Sequence, residues 1–204
     1  MNKYRLIKKG RNKDRNISKV IGIAGTAMGC GSTYISLMVA NALKKIGSRK
    51  VAYIDMCGKD SCSAMVDERC KRGDTVCVYK GVTYYTRGDA ESILDAFNGE
   101  YDHIIIDFGN GGIKYMKEFM RCDVKIVVGL ATPWKLLCFE NYLINNEEVM
   151  SKGKWRFVFN LATEHETKKL RGRYRIKAVN IEYEECFYVV NENNMRKIIA
   201  LLEG

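Results

Sequence analysis

Between Val20 and Thr33 the chain passes from an apolar strand, through a glycine-rich turn, into a helix. The stretch reads Val20-Ile21-Gly22-Ile23-Ala24-Gly25-Thr26-Ala27-Met28-Gly29-Cys30-Gly31-Ser32-Thr33. Beyond it Ile35, Met38, Val39, Ala42, Leu43 and Ile46 recur at the spacing of one helix face, which predicts an amphipathic helix. A glycine turn in this position lets backbone N–H groups converge on an anion at the positive end of the helix dipole. The usual phosphate-binding loop closes on Gly-Lys-Ser/Thr. Here the closing residues are Gly31-Ser32-Thr33, so the loop has the shape without the fixed positive charge.

The later segments repeat the alternation of strand and helix. Lys50–Met56 reads as a buried strand carrying Asp55 near its end, after a Gly47-Ser48 break. Asp55 either faces the glycine loop or merely starts the next connection. Tyr101–Gly112 holds three isoleucines that run into Asp107, then Gly109, Gly111 and Gly112. An apolar run of that kind is a parallel strand covered on both faces, delivering a carboxylate at its C-terminal end. Cys122–Trp134 gives a further strand and then a helix start, with Thr132 placed to cap and Pro133 at the first helical position. Trp155–Leu161 is another strand, ending in Asn160. Together these predict a single α/β domain, a three-layer α/β/α sandwich around a mostly parallel sheet. Ligands of such sheets bind beyond the carboxyl ends of the strands, where Gly31, Asp55, Asp107 and Asn160 fall.

The order of these segments resembles the deviant-Walker-A branch of P-loop ATPases, the MinD, ParA and CpaE/TadZ group. Its loop reads roughly Lys-Gly-Gly-x-Gly-Lys-Thr-Thr. On that pattern Ala27 stands at the first, signature lysine, Met28 at a glycine, and Ser32 at the second lysine, while Gly29, Gly31 and Thr33 match. The resemblance runs from about Lys19 to the C-terminus. It implies ATP as ligand, bound by Gly29, Cys30, Gly31, Ser32 and Thr33, with Asn160 at the base. It implies Mg2+ held by Thr33 and, through water, Asp107, with Asp55 facing the attacking water. Tyr101-Asp102-His103-Ile104-Ile105-Ile106-Asp107 is similar to the group's Walker B strand, with Gly109 and Gly111 in the following switch turn. His103, inside that strand, reads as a structural histidine.

Other segments carry less chemistry. Thr75–Tyr79, a Lys80-Gly81 turn and Val82–Thr86 read as a β-hairpin, its tyrosines either packed on the core or forming a contact surface through Tyr84 and Tyr85. Asp89 is placed to cap a short helix holding Ile93, Leu94 and Phe97. Thr163 and Glu166 have capping-box spacing. Ile176–Ile181 is a last strand, and Asn191–Leu202 a final helix whose Met195, Ile198, Ile199, Leu201 and Leu202 suit either the core or a membrane surface.

Charge divides the chain into a basic tail, residues 1–18, and a domain, residues 19–204. Residues 1–19 hold eight basic side chains against Asp14 alone, so +7 of the net +10 lies there and +3 on the remaining 185 residues. Such a tail contacts DNA or an anionic membrane surface, or is simply solvated. No apolar run is long enough to span a bilayer, and the N-terminus lacks the apolar core of a secretory signal. The expected location is the cytoplasm, free or peripheral at the inner membrane. In that reducing setting the eight cysteines are expected as free thiols, and the crowding of Cys57, Cys62, Cys70 and Cys77 lacks a Cys-x-x-Cys metal knuckle.

Three functions follow from the resemblance. One is a scaffold or positioning factor that binds ATP weakly and hydrolyses it poorly or not at all. It would act through self-association or a protein partner, as the CpaE/TadZ proteins of Flp/Tad-type pilus loci do. Another is a DNA-associated partition protein using the basic tail. The third is an ATP-dependent enzyme on the same fold, a dethiobiotin-synthetase-like ligase or a capsule-kinase-like regulator. Because both lysine positions are substituted, efficient ATPase activity is not expected.

Overall fold

The computed structural model describes residues 18–47, 50–58, 74–110, 114–151 and 153–203. The basic tail, Cys62, Cys70 and Gly111 lie outside the described residues, as does most of the 57–74 connection. The strands are β1 (Lys19–Gly25), β2 (Val51–Asp55), β3 (Val76–Tyr79), β4 (Val82–Tyr85), β5 (His103–Asp107), β6 (Val124–Leu130), β7 (Trp155–Asn160) and β8 (Ala178–Ile181). The helices are α1 (Ser32–Lys45), α2 (Ala90–Asn98), α3 (Met116–Arg121), α4 (Pro133–Asn145), α5 (Glu147–Met150), α6 (Glu164–Tyr174) and α7 (Glu192–Glu203).

One eight-stranded sheet runs in the order β3-β4-β2-β5-β1-β6-β7-β8. Every pairing is parallel except the β3–β4 hairpin. Side chains alternate across it with the period of two that pleating imposes. Ile21 and Ile23 of β1 and Ile105 of β5 enter one buried cluster with α1 and α7. Val20, Ala24, Ile104 and Ile106 enter the other, with Ala96 of α2, Phe119 of α3, Phe139 of α4 and Leu170 of α6. Helices thus cover both faces, the expected three-layer α/β sandwich.

Helix ends largely follow their local signals. Asp89 caps α2 by accepting from the Ser92 N–H at 2.7 Å, and Thr163 with Glu166 forms a full capping box on α6. Thr132 stands at the N-cap of α4, yet its side chain makes no cap hydrogen bond. The hairpin turns through Lys80 and Gly81, both with positive φ, the conformation a two-residue turn needs to match strand twist.

Two open alternatives are decided in favour of the core, and one expectation is corrected. Tyr84 and Tyr85 are not a contact surface: they are 0% and 3% exposed, because β4 lies between β2 and β3 and is covered on both faces. The apolar residues of the last helix pack inward, with Met195, Ile198, Leu201 and Leu202 in the first cluster, so none is left for a membrane. Cys77 is disulfide-bonded rather than a free thiol, and its partner is not among the described residues. Cys30, Cys57, Cys122, Cys138 and Cys186 are free. Among the described residues no helix is long and apolar enough to cross a membrane.

Candidate functional site: the glycine loop and the strand ends around it

β1 is the point where the chain changes faces. It feeds α1 on one side of the sheet, whereas β5 feeds α3 on the other side before β6 returns beside β1. The crevice beyond their carboxyl ends is where a sheet of this kind admits a ligand. The glycine loop, residues 25–33, occupies it. The loop is held from below by backbone bonds, Gly25 N–H to the Gly109 carbonyl (2.6 Å) and Thr26 N–H to the Val128 carbonyl (3.0 Å). Gly29 and Gly31 take φ of 77° and 88°, which side-chain-bearing residues adopt only under strain. Gly31 is the N-cap of α1 and no side chain caps it, so the first-turn N–H groups of α1 are available to an anion. A Cβ on Gly29 would meet nothing within 4 Å, so the loop is open at its outer rim.

The residues singled out from the sequence converge here. The Thr33 hydroxyl lies near the Asp107 carboxylate and favours its charged form. Asp107 is wholly buried and accepts from the Gly109 N–H (3.0 Å) and the Tyr53 hydroxyl (3.1 Å). Burial pushes the Asp107 carboxyl above the usual carboxylate range, against the hydrogen bonds from Thr33, Gly109, Cys57 and Tyr53. Asp55 stands beside it across the β2–β5 pairing, 2% exposed, and accepts from the Cys57 N–H at 2.8 Å. Asn160 closes the far side, its Nδ2 donating to the Cys30 carbonyl at 3.2 Å. Ser32 is buried in the first turn of α1. The Cys30 side chain is 1% exposed and turns inward against Gly25, so only its backbone can serve a ligand.

Several residues at the site carry no sequence signal of their own. Cys57 places its Sγ 3.6 Å from the Thr33 hydroxyl, and one ligand atom each from Asp55, Cys57 and Asp107 lie within 4.8 Å of one another. Lys135, in the first turn of α4, donates to the Met28 carbonyl at 2.7 Å. Three side-chain oxygens are buried without a hydrogen-bond partner: Thr26 Oγ1 in the loop, Asn160 Oδ1 beside it, and Thr132 Oγ1 at the start of α4. The oxygen donors of Thr33, Asp55 and Asp107 suit a hard cation such as Mg2+, and the open loop suits a phosphate chain.

The fold as a whole corresponds to known solved proteins. The fold is that of the MinD and ParA ATPases. A plasmid partition protein of Borrelia burgdorferi is similar over 91% of this chain and 96% of its own, at TM-score 0.65 and 15% identity. The MinC:MinD cell division complex of Aquifex aeolicus matches over 82% of each chain, at TM-score 0.63 and 17% identity. A nucleotide-binding protein of Archaeoglobus fulgidus, solved with ADP, matches over 90% of this chain and 86% of its own, at TM-score 0.57 and 16% identity. No protein-family model and no curated protein sequence matches the chain. The loop of residues 25–33 lies at the end of β1 and the start of α1.

Proposed function

We propose that this chain is a MinD/ParA-like nucleotide-binding protein with a degenerate P-loop, working as a scaffold or positioning factor rather than as an efficient ATPase. The observation that supports the reading is an open glycine turn between β1 and α1 with positive φ at Gly29 and Gly31, Thr33 near buried Asp107 behind it, and Ala27 and Ser32 at the lysine positions. A P-loop lysine supplies charge-assisted hydrogen bonds to the phosphates, each worth roughly 1.5–3 kcal/mol. Without them the loop amides and helix dipole remain, and ATP with Mg2+ binds weakly. Thr33 and Asp107 would hold the metal shell, Asp55 would face the attacking water, and Asn160, which lies against Gly31, would stand at the base. Ala27 removes the side chain that reaches a partner's phosphates in the lysine-bearing proteins, so transition-state charge is left unsupported.

Self-association or capture of a protein partner is then the output, and Flp/Tad-type pilus assembly is the setting that the resemblance to CpaE/TadZ proteins supports. A partition-type role on DNA is the second reading. The net +7 over residues 1–19 favours it, and a similar solved protein is a plasmid partition protein.

The test is titration of wild type and Ser32→Lys with a fluorescent ATP analogue, with and without Mg2+, alongside phosphate release. Wild type binds weakly and turns over near background. Ser32→Lys gains about 10- to 100-fold in affinity, the worth of one charge-assisted contact, while turnover stays low. Tight binding and brisk hydrolysis by wild type would refute the reading.

A further inference from the structure

The loop between Gly25 and Thr33 contains no charged side chain, yet a cation touches it. Lys135 comes from the first turn of α4, 107 positions further along the chain, and its Nζ donates to the Met28 carbonyl at 2.7 Å. An ammonium has three donors, so two others remain for an incoming group at the rim of the loop. The surroundings also lack something. Thr26 Oγ1 in the loop, Thr132 Oγ1 at the foot of α4 and Asn160 Oδ1 beside Gly31 are buried without hydrogen-bond partners, although buried polar atoms are nearly always satisfied. Asn160 is 7% exposed and sits directly against the loop. The two orphaned hydroxyls can donate to an anion at the open turn, while Asn160 Oδ1, an acceptor, would serve a donor on the same ligand.

We propose that Lys135 supplies from α4 the positive charge that the loop's own sequence lacks, and that it holds the polyphosphate chain of a nucleotide against residues 28–33. The inference rests on the reading of that loop as a nucleotide-phosphate site. The Gly25, Thr26 and Cys30 N–H groups are bonded to backbone carbonyls of the fold, which leaves the first-turn N–H groups of α1 to the anion.

Full-length wild type, Lys135→Gln and Lys135→Arg are titrated with a fluorescent ATP analogue, displaced by inorganic tripolyphosphate, at two salt concentrations. Gln can still donate to the Met28 carbonyl but has no charge, so a merely structural tether would survive it. The expected result is a loss of about 10- to 100-fold for Lys135→Gln, with a shallower salt dependence and an unchanged thermal midpoint. Lys135→Arg stays within a few-fold of wild type. Binding by Lys135→Gln equal to wild type would overturn the role of Lys135 and leave the loop reading intact. A lower midpoint without loss of affinity would do the same. If wild type binds neither probe, the phosphate-site reading falls and the role of Lys135 falls with it.

Discussion

Asn160, at the end of β7, donates to the carbonyl of Cys30 at 3.2 Å and so ties one rim of the sheet to the glycine loop across 130 positions of sequence. The contact depends on Gly31. A Cβ there would strike Asn160 Nδ2, and φ of 88° already disfavours any side chain. Gly31→Ala is therefore expected to cost about 1–2 kcal/mol from the backbone plus the steric term. Pairing it with Asn160→Ala should relieve only the second part. Chemical denaturation of the two singles and the double gives the coupling directly; strict additivity would mean that the two residues do not meet.

Tyr84→Ser with Tyr85→Ser should abolish the cooperative thermal transition. Tyr84 packs on Tyr53 at 5.6 Å between ring centroids, and the Tyr85 hydroxyl donates to Asp95 at 2.7 Å. Emptying two buried aromatic sites costs about 3–5 kcal/mol each, comparable with the whole stability of a domain. Retention of a sharp melt near the wild-type midpoint would show that these rings are not core.

The layout of the sheet and the positions of the loop, Asp55, Asp107 and Asn160 were readable from sequence because each rests on a local pattern. An isoleucine run ending in Asp107 states both the strand and where its carboxylate emerges. Lys135 and Cys57 had no such signal. A lysine in the first turn of a helix looks like any solvated charge, and its partner Met28 is 107 residues away. Cys57 meets Thr33 only because β2 and the start of α1 end at the same edge. The hairpin was legible as a hairpin, but which of its strands lay outside was not. That depends on β4 pairing with β2, a contact that no local window contains.

Removing residues 1–17 should leave the domain folded, since Ser18 already bonds to the Tyr101 carbonyl and Lys19 to the Leu202 carbonyl. If the tail contacts DNA or anionic lipid, full-length protein binds duplex or acidic vesicles with a steep salt dependence and the truncated protein does not. Filter binding and vesicle sedimentation separate the two surfaces. Equal binding by both proteins removes the tail from the account.

Cys57 is expected to resist alkylation at neutral pH. Burial, then the neighbouring charges of Asp107 and Asp55, push its thiol far above the ordinary range, and only the thiolate is nucleophilic. Peptide mapping after iodoacetamide treatment should find exposed Cys186 modified well before Cys57. Asp107→Asn removes one of the opposing charges and should speed the reaction at Cys57. No change in that variant would show that Asp107 carries no charge felt at the sulfur.

His103 makes stability fall in mild acid. It opens β5 opposite Lys19 of β1; burial, and secondarily the Lys19 charge, lower its pKa from 6.5 to about 4, while Asp102 pulls the other way. The folded state therefore holds the ring neutral where the unfolded chain would protonate it. Its contribution is complete above pH 6.5 and is lost as pH falls towards 4, because over that interval the unfolded state binds more protons. A shift of this size corresponds to roughly 3 kcal/mol, a substantial part of a domain's stability. Urea denaturation of wild type between pH 7 and 4.5 should show the midpoint dropping, and His103→Gln, which cannot charge, should flatten that part of the profile. A wild-type midpoint independent of pH across this window would mean that His103 keeps its ordinary pKa and that the strand end is open to water.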